Sequence, residues 1–200
     1  SGLGAHDGLA YAGSPPPPPS LYAIRESDNS LVGIDPDTLG YTVIGSTGVG
    51  VGNYGGLAYD RNHDVLYWIA GRGNSNLYRV DRNAGAATLV GSHGVSDLFG
   101  LAYDSRNNVL YATQFSGGTS LYRLNTLTGA ATLIGDMGTG IGGLSYDAPN
   151  DRLVGMHDGP GELYVIDRAT GALSLLHDGG NTNDSGLTYD WDRNLFWDID

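Results

Sequence analysis

One pentapeptide returns five times with little change: Gly8-Leu9-Ala10-Tyr11-Ala12, Gly56-Leu57-Ala58-Tyr59-Asp60, Gly100-Leu101-Ala102-Tyr103-Asp104, Gly143-Leu144-Ser145-Tyr146-Asp147 and Gly186-Leu187-Thr188-Tyr189-Asp190. Its first glycines are 48, 44, 43 and 43 residues apart. Self-similarity at a step of this size restricts a chain to architectures in which each copy is one supersecondary unit, able to bury its faces only against its neighbours. Nothing else in the sequence narrows the fold as far.

Three further short runs follow the pentapeptide in each copy. The second reads Leu21-Tyr22-Ala23-Ile24, Leu66-Tyr67-Trp68-Ile69, Leu110-Tyr111-Ala112-Thr113, Leu153-Val154-Gly155-Met156 and Leu195-Phe196-Trp197-Asp198. The third reads Leu31-Val32-Gly33-Ile34, Leu77-Tyr78-Arg79-Val80, Leu121-Tyr122-Arg123-Leu124 and Leu163-Tyr164-Val165-Ile166. The fourth covers residues 41–44, 88–90, 132–134 and 173–176. All are apolar or aromatic and bounded by Gly, Asp or Asn, as antiparallel strands are. None has a 3.6-residue period, so helix is not expected.

The connectors agree with this reading. Third and fourth runs are joined by residues 35–40, 81–85, 125–129 and 167–171, each opening on Asp or Asn and closing on a glycine able to take positive φ. Four antiparallel strands per repeat predict an all-β propeller with four complete four-stranded blades and a two-stranded partial fifth, a single domain over residues 1–200. The small residues Ala10, Ala58, Ala102, Ser145 and Thr188 in the inner strands are expected to let the blades converge.

The copy count does not close. Copies starting at Gly8, Gly56, Gly100 and Gly143 have all four runs, whereas the fifth reaches Asp200 after two. Either the natural chain continues, another chain completes the blade, or the blade is truncated. An edge carrying Phe196 and Trp197 is an aggregation liability, which favours an excised domain or one completed by a neighbour near Trp197.

Composition removes several function classes. There are 22 acidic and 10 basic residues, for a net charge of −12, and every base is an arginine. Nucleic acid is not an expected partner, because phosphates call for a basic footprint. Without lysine there is no Schiff-base chemistry. Without cysteine there are no disulfides, thiolate nucleophiles or cysteine-ligated metals. No segment approaches the length of apolar sequence a spanning helix needs, so no membrane partner is expected.

The blade phrasing, with an apolar-Asp inner strand ahead of an aromatic second strand such as Val65-Leu66-Tyr67-Trp68, resembles secreted β-propellers of the YWTD and NHL-like group. The resemblance covers Gly8 to Asp200 and implies an architecture rather than an activity. Leu163-Tyr164-Val165-Ile166-Asp167 with Thr170-Gly171 is similar to part of a quinoprotein repeat. The tryptophan that repeat carries after its glycine is missing in every copy, so no quinone, and no other cofactor, is expected.

Copy one alone breaks the pattern, with Ser14-Pro15-Pro16-Pro17-Pro18-Pro19-Ser20 in place of a polar turn. Five prolines hold a left-handed polyproline II rod and cannot donate to a ladder. A stiff surface loop is one reading, and a ligand for an SH3-type domain another. The run also resembles the extensin-type motif of plant and green-algal wall glycoproteins. That resemblance implies hydroxylated, arabinosylated prolines at Pro15, Pro16, Pro17, Pro18 and Pro19, flanked by Ser14 and Ser20, and an extracellular location. A sequon at Asn183 adds a candidate N-glycosylation site.

Loops that differ between copies are where specialised function is expected. They cover residues 45–55, 91–99, 135–141 and 177–185, facing 25–29, 70–76, 114–120 and 156–161. His157-Asp158 and His177-Asp178 offer metal ligands or an acid–base pair, and Tyr54, Phe99 and Phe115 offer faces for sugar rings. The pairs Asp35/Asp37, Asp190/Asp192 and Asp198/Asp200 lack the glycine and terminal glutamate of an EF-hand loop, so no metal site is expected. No nucleophile elbow, phosphate-binding loop or HExxH motif is present, and no catalytic residue is assigned. The leading expectation is a non-catalytic extracellular structural or interaction module, a glycosylated subunit of a wall, surface layer or mastigoneme-like ciliary appendage, whose partners are other extracellular proteins, copies of itself or glycans. A carbohydrate-binding propeller is the alternative, and a propeller hydrolase or lactonase a third.

Overall fold

A computed structural model describes residues 21–50, 55–157, 159, 161–180 and 186–199. The first pentapeptide, the proline run with Ser14 and Ser20, Tyr54, Asp158 and Asn183 lie outside the described residues. Among those described there are seventeen strands and no helix.

The strands form sheets in chain order. Strands β1 (Leu21–Arg25), β2 (Ser30–Ile34) and β3 (Tyr41–Ser46) make a three-stranded sheet. Its expected inner strand, the first pentapeptide, is outside the described residues. Three four-stranded sheets follow. The second blade holds β4 (Leu57–Asp60), β5 (Val65–Ile69), β6 (Asn76–Val80) and β7 (Ala87–Ser92). The third holds β8 (Leu98–Asp104), β9 (Val109–Gln114), β10 (Ser120–Leu124) and β11 (Ala131–Asp136). The fourth holds β12 (Ile141–Asp147), β13 (Arg152–His157), β14 (Leu163–Ile166) and β15 (Leu173–His177). The last sheet has two strands, β16 (Gly186–Asp190) and β17 (Leu195–Ile199). Inner strands β4, β8, β12 and β16 lie side by side in chain order. The chain is an all-β propeller.

The core lies between sheets rather than within them. Leu31 packs on Leu66, Trp68 and Val80 between the first and second blades. Ile69 and Leu77 meet Leu98, Leu101 and Leu110 between the second and third. Leu121 meets Ile141, Leu144 and Leu153 between the third and fourth. The last seam is the thinnest: Val154 and Met156 against Leu187. Stability is therefore a sum of nearest-neighbour seams, as in repeat proteins.

The recurring pentapeptide now has a physical account. Its glycine touches the leucine of the next copy: a Cβ on Gly56 would fall 2.8 Å from Leu101 Cβ, one on Gly100 2.8 Å from Leu144 Cβ, and one on Gly143 2.8 Å from Leu187 Cβ. The glycine thus sets how closely neighbouring blades approach, a role the sequence reading gave only to the small residue two places on. The tyrosine hydroxyl donates across the hairpin to a residue in left-handed backbone: Tyr59 to Asp64 at 2.7 Å, Tyr103 to Asn108 at 3.1 Å, Tyr146 to Asp151 at 2.7 Å, and Tyr189 to Asn194. Asp and Asn tolerate that backbone better than other side chains. The closing aspartates Asp60, Asp104, Asp147 and Asp190 are buried and accept N–H bonds from the turns they start.

Two details differ from the sequence reading. In the first blade's outer turn, Leu39 rather than Gly40 takes the left-handed conformation, at φ 57°; Gly85, Gly129 and Gly171 hold that place elsewhere. In the last blade, Asp190 pairs with Leu195 as Asp60 pairs with Val65. Phe196 therefore takes Leu66's place, Trp197 takes Tyr67's and Asp198 takes Trp68's, one step from the alignment the sequence implied.

Candidate functional site

The middle residues of the four described pentapeptides line a central cavity of about 240 Å³. Its polar lining includes Arg61, Ser145, Thr188, Asp190 and Asp192. At the turn end the Arg61 guanidinium stacks 3.7 Å from the Trp191 ring centroid, joining the second blade to the fifth. Arg193 donates to Asp37 at 2.6 Å, tying the fifth blade to the first.

The buried turn carboxylates are neutralised by their surroundings. Asp104, with no exposure, accepts from Arg168 at 2.6 Å and Asn107 at 2.9 Å. Burial pushes its carboxyl up, but those bonds outweigh burial and hold it below the usual carboxylate range. Arg168 also binds Asp151 at 2.9 Å, so it spans two blades. Asp190 accepts from Arg193 and from Trp197 Nε1, both at 3.1 Å. Asp35 accepts the Asp37 N–H at 2.9 Å. These aspartates do structural work at the turns.

On the opposite, loop face, the structure brings His157 together with two residues the sequence did not single out. His157 Nδ1 lies 3.2 Å from Glu162 Oε2, and Nε2 lies 3.0 Å from Thr139 Oγ1. A carboxylate only accepts, so Nδ1 carries a proton toward Glu162; with the ring neutral, Nε2 accepts from the Thr139 hydroxyl. Tyr164 donates to the same Glu162 oxygen at 2.6 Å, which together with His157 holds Glu162 below its ordinary range. The pentapeptide spacing gave no sign of this cluster; the one hint was that Glu162 is one of two glutamates in the chain.

The remaining candidates sit apart from it. His177 and Asp178 are exposed at the end of β15. Phe99 is buried, and its ring stacks on Phe115 at 5.1 Å, so the face turned toward Phe115 is not open to a sugar. Phe115 is itself held against Gly140. Among the described residues no three His, Cys, Asp or Glu side chains cluster as metal ligands.

The fifth sheet offers a different kind of site. Strand β17 pairs with β16 alone, so among the described residues its outer edge carries no strand. In the second, third and fourth blades that edge is taken by β6, β10 and β14.

These features define a β-propeller whose last sheet has two strands among the described residues. No protein-family model matches the chain, and no curated protein matches it. Solved structures do. The chain is similar to a Bacteroides thetaiotaomicron protein of unknown function (TM-score 0.66, 19% identity), covering 90% of this chain and 49% of that one, so it spans about half that protein's length. It is also similar to a chain of the nidogen/laminin complex (TM-score 0.64, 17% identity), covering 90% of this chain and 70% of that one. A third likeness, to Kuenenia stuttgartiensis hydrazine synthase, is weaker (TM-score 0.52, 11% identity, 68% of this chain and 39% of that one). At these identities the likenesses establish the fold alone, which is the architecture that the YWTD resemblance implied.

Proposed function

We propose that this propeller is a non-catalytic interaction module of an extracellular assembly. The observation that carries the reading is the outer edge of β17, against which no strand is paired among the described residues. A second protein adding a strand there would complete the blade, a recurring mode of recognition. The similar chain in the nidogen/laminin complex belongs to a protein–protein assembly, which agrees with such a use. The extensin-like run at residues 14–20 supports an extracellular place, in a wall, surface layer or ciliary appendage.

Native material tests both parts. Carboxylate-directed cross-linking, read by mass spectrometry, is expected to join Asp192 or Asp198 to another polypeptide. The same digests are expected to show hydroxylated, pentose-bearing prolines at Pro15 to Pro19. Material that stays un-cross-linked and carries plain prolines sinks the proposal.

A hydrolase is the second reading, favoured by the hydroxyl–imidazole–carboxylate line of Thr139, His157 and Glu162. Such a line is how a hydroxyl is activated as a nucleophile. Labelling of Thr139 by a fluorophosphonate, lost in His157→Gln, would establish it; an unlabelled protein removes it.

A further inference from the structure

The loop between the second and third blades is fastened by a histidine where two other blades use side chains that do not titrate. The N–H groups of Thr47, His93 and Met137 each donate to the loop that precedes β2, β6 or β10. Thr47 reaches Asn29 O at 2.9 Å, His93 reaches Ser75 O and Met137 reaches Thr119 O, both at 2.8 Å. All three side chains are buried. Thr47 Oγ1 then accepts the Val49 N–H at 3.4 Å, and His93 Nδ1 accepts the Val95 N–H at 3.3 Å. The imidazole thus does between one pair of blades what a hydroxyl does between the pair before it.

A hydroxyl goes on accepting in acid, whereas this ring cannot. Because Nδ1 accepts, the neutral ring keeps its proton on Nε2. That nitrogen is buried and, among the described residues, has no partner. A second proton must go on Nδ1, which then becomes a donor facing the Val95 N–H. The Val95 bond is lost, and a cation is left in an apolar seam with nothing to accept from it. The titratable and charged side chains on the adjoining segments are Asp97 in its own loop and Arg72 in the loop of residues 70–76. Strand β7, the adjoining ends of β6 and β8, and residues 114–120 carry none. Neither Asp97 nor Arg72 offsets the ring's charge, and burial is what displaces its titration.

What the Val95 bond holds is the loop face of the third blade. Val95 packs on the seam of Ile69, Leu77 and Leu98. Next along, Ser96 O accepts from Gln114 Nε2 at 3.1 Å, and Asp97 O accepts the Phe115 N–H at 3.2 Å. The Phe115 ring in turn stacks on buried Phe99. We propose that His93 is a proton-operated latch: in acid it releases residues 93–97, which frees residues 114–120 and uncovers the Phe99–Phe115 pair as an apolar surface. The latch lies between the second and third blades, so it depends neither on the fifth sheet nor on the interaction reading.

Amide hydrogen exchange by NMR on the 200-residue chain, corrected for intrinsic rates, tests this between pH 6.5 and 4.5. Val95 and Phe115 report the latch, and Val49, on its threonine cap, is the internal reference. In the closed protein the ring titrates at about 4, against an ordinary 6.5. Opening that lets the ring take up a proton is therefore favoured about tenfold per pH unit across the range. Protection of Val95 and Phe115 is expected to fall about 100-fold, and that of Val49 to change less than about threefold. His93→Thr copies the cap at Thr47 and His93→Met the side chain at Met137, and each is expected to abolish the fall. Protection that stays level at either reporter, that falls in step with Val49, or that falls equally in the two variants overturns the proposal.

Discussion

Gly100 lies so close to Leu144 of the next blade that a methyl group on it would meet Leu144 Cβ at 2.8 Å and Thr113 Oγ1 at 2.3 Å. The Thr113 hydroxyl cannot retreat. It accepts the Gly100 N–H at 3.1 Å and donates to the Ile141 carbonyl at 2.8 Å, all three groups being buried. Gly100→Ala is therefore expected to lower unfolding free energy by about 3 kcal/mol or more, since overpacking a rigid seam displaces backbone. Gly50→Ala, where nothing lies within 4 Å, is expected to be neutral within about 0.5 kcal/mol. Urea denaturation of the pair decides it; equal midpoints would mean the seams yield.

Arg168 holds two blades together through the fully buried Asp104 and the half-exposed Asp151. Arg168→Met keeps much of the side chain's bulk and leaves Asp104 to Asn107 and the turn N–H groups. The expected loss is about 2–4 kcal/mol at neutral pH. Asp104's carboxyl is lowered in the folded protein, so its contribution is present above the ordinary carboxylate pKa and fades as pH falls. The gap between the two proteins is expected to narrow in acid, and a pH-independent gap would assign Arg168's role to packing alone.

Much of this was legible in the sequence because a propeller repeats its reasons. Gly-Leu-Ala-Tyr-Asp marks each inner strand, and the Asx-to-glycine turns mark each outer hairpin. What the pentapeptide does was less visible, since the partner of each glycine lies in the next copy, about 44 residues on. The shift at Leu195 escaped because Leu-Phe-Trp matches Leu-Tyr-Trp by composition, while register depends on counting back to Asp190. His157 was readable as a loop histidine and a candidate metal ligand or acid–base group beside Asp158, not as the partner of Thr139 and Glu162. Its partners Thr139 and Glu162 come from a neighbouring loop and from across a tight turn, and neither lies in a repeated position.

The Tyr146 hydroxyl fastens its hairpin by donating to Asp151, whose backbone is left-handed at φ 52°. Tyr146→Phe removes the donor without opening a cavity. The expected loss is about 1–2 kcal/mol, toward the lower end of the range for a bond to a charged acceptor. Amide hydrogen exchange should localise the change to residues 147–152, and uniform exchange across the blade would show that the clamp is not local.

Among the described residues, His93 is a histidine whose burial displaces its titration. Its ring is buried, Nδ1 accepts the Val95 N–H at 3.3 Å, and Nε2 has no partner. Burial lowers its pKa from the ordinary 6.5 to about 4. The folded state thus binds fewer protons than the unfolded chain between those values. Its contribution is complete above 6.5 and is lost as pH falls toward 4, by roughly 2–3 kcal/mol. The third blade places Met137 at the equivalent position, with the same backbone bond to the preceding loop: His93 N–H to Ser75 O and Met137 N–H to Thr119 O, both at 2.8 Å. An apolar side chain of that length therefore fits the site. His93→Met is expected to flatten the stability profile between pH 6.5 and 4 while leaving the neutral-pH value within about 1 kcal/mol. Thermal unfolding of both proteins across that range provides the measurement. A slope that survives the substitution would place the titrating group elsewhere.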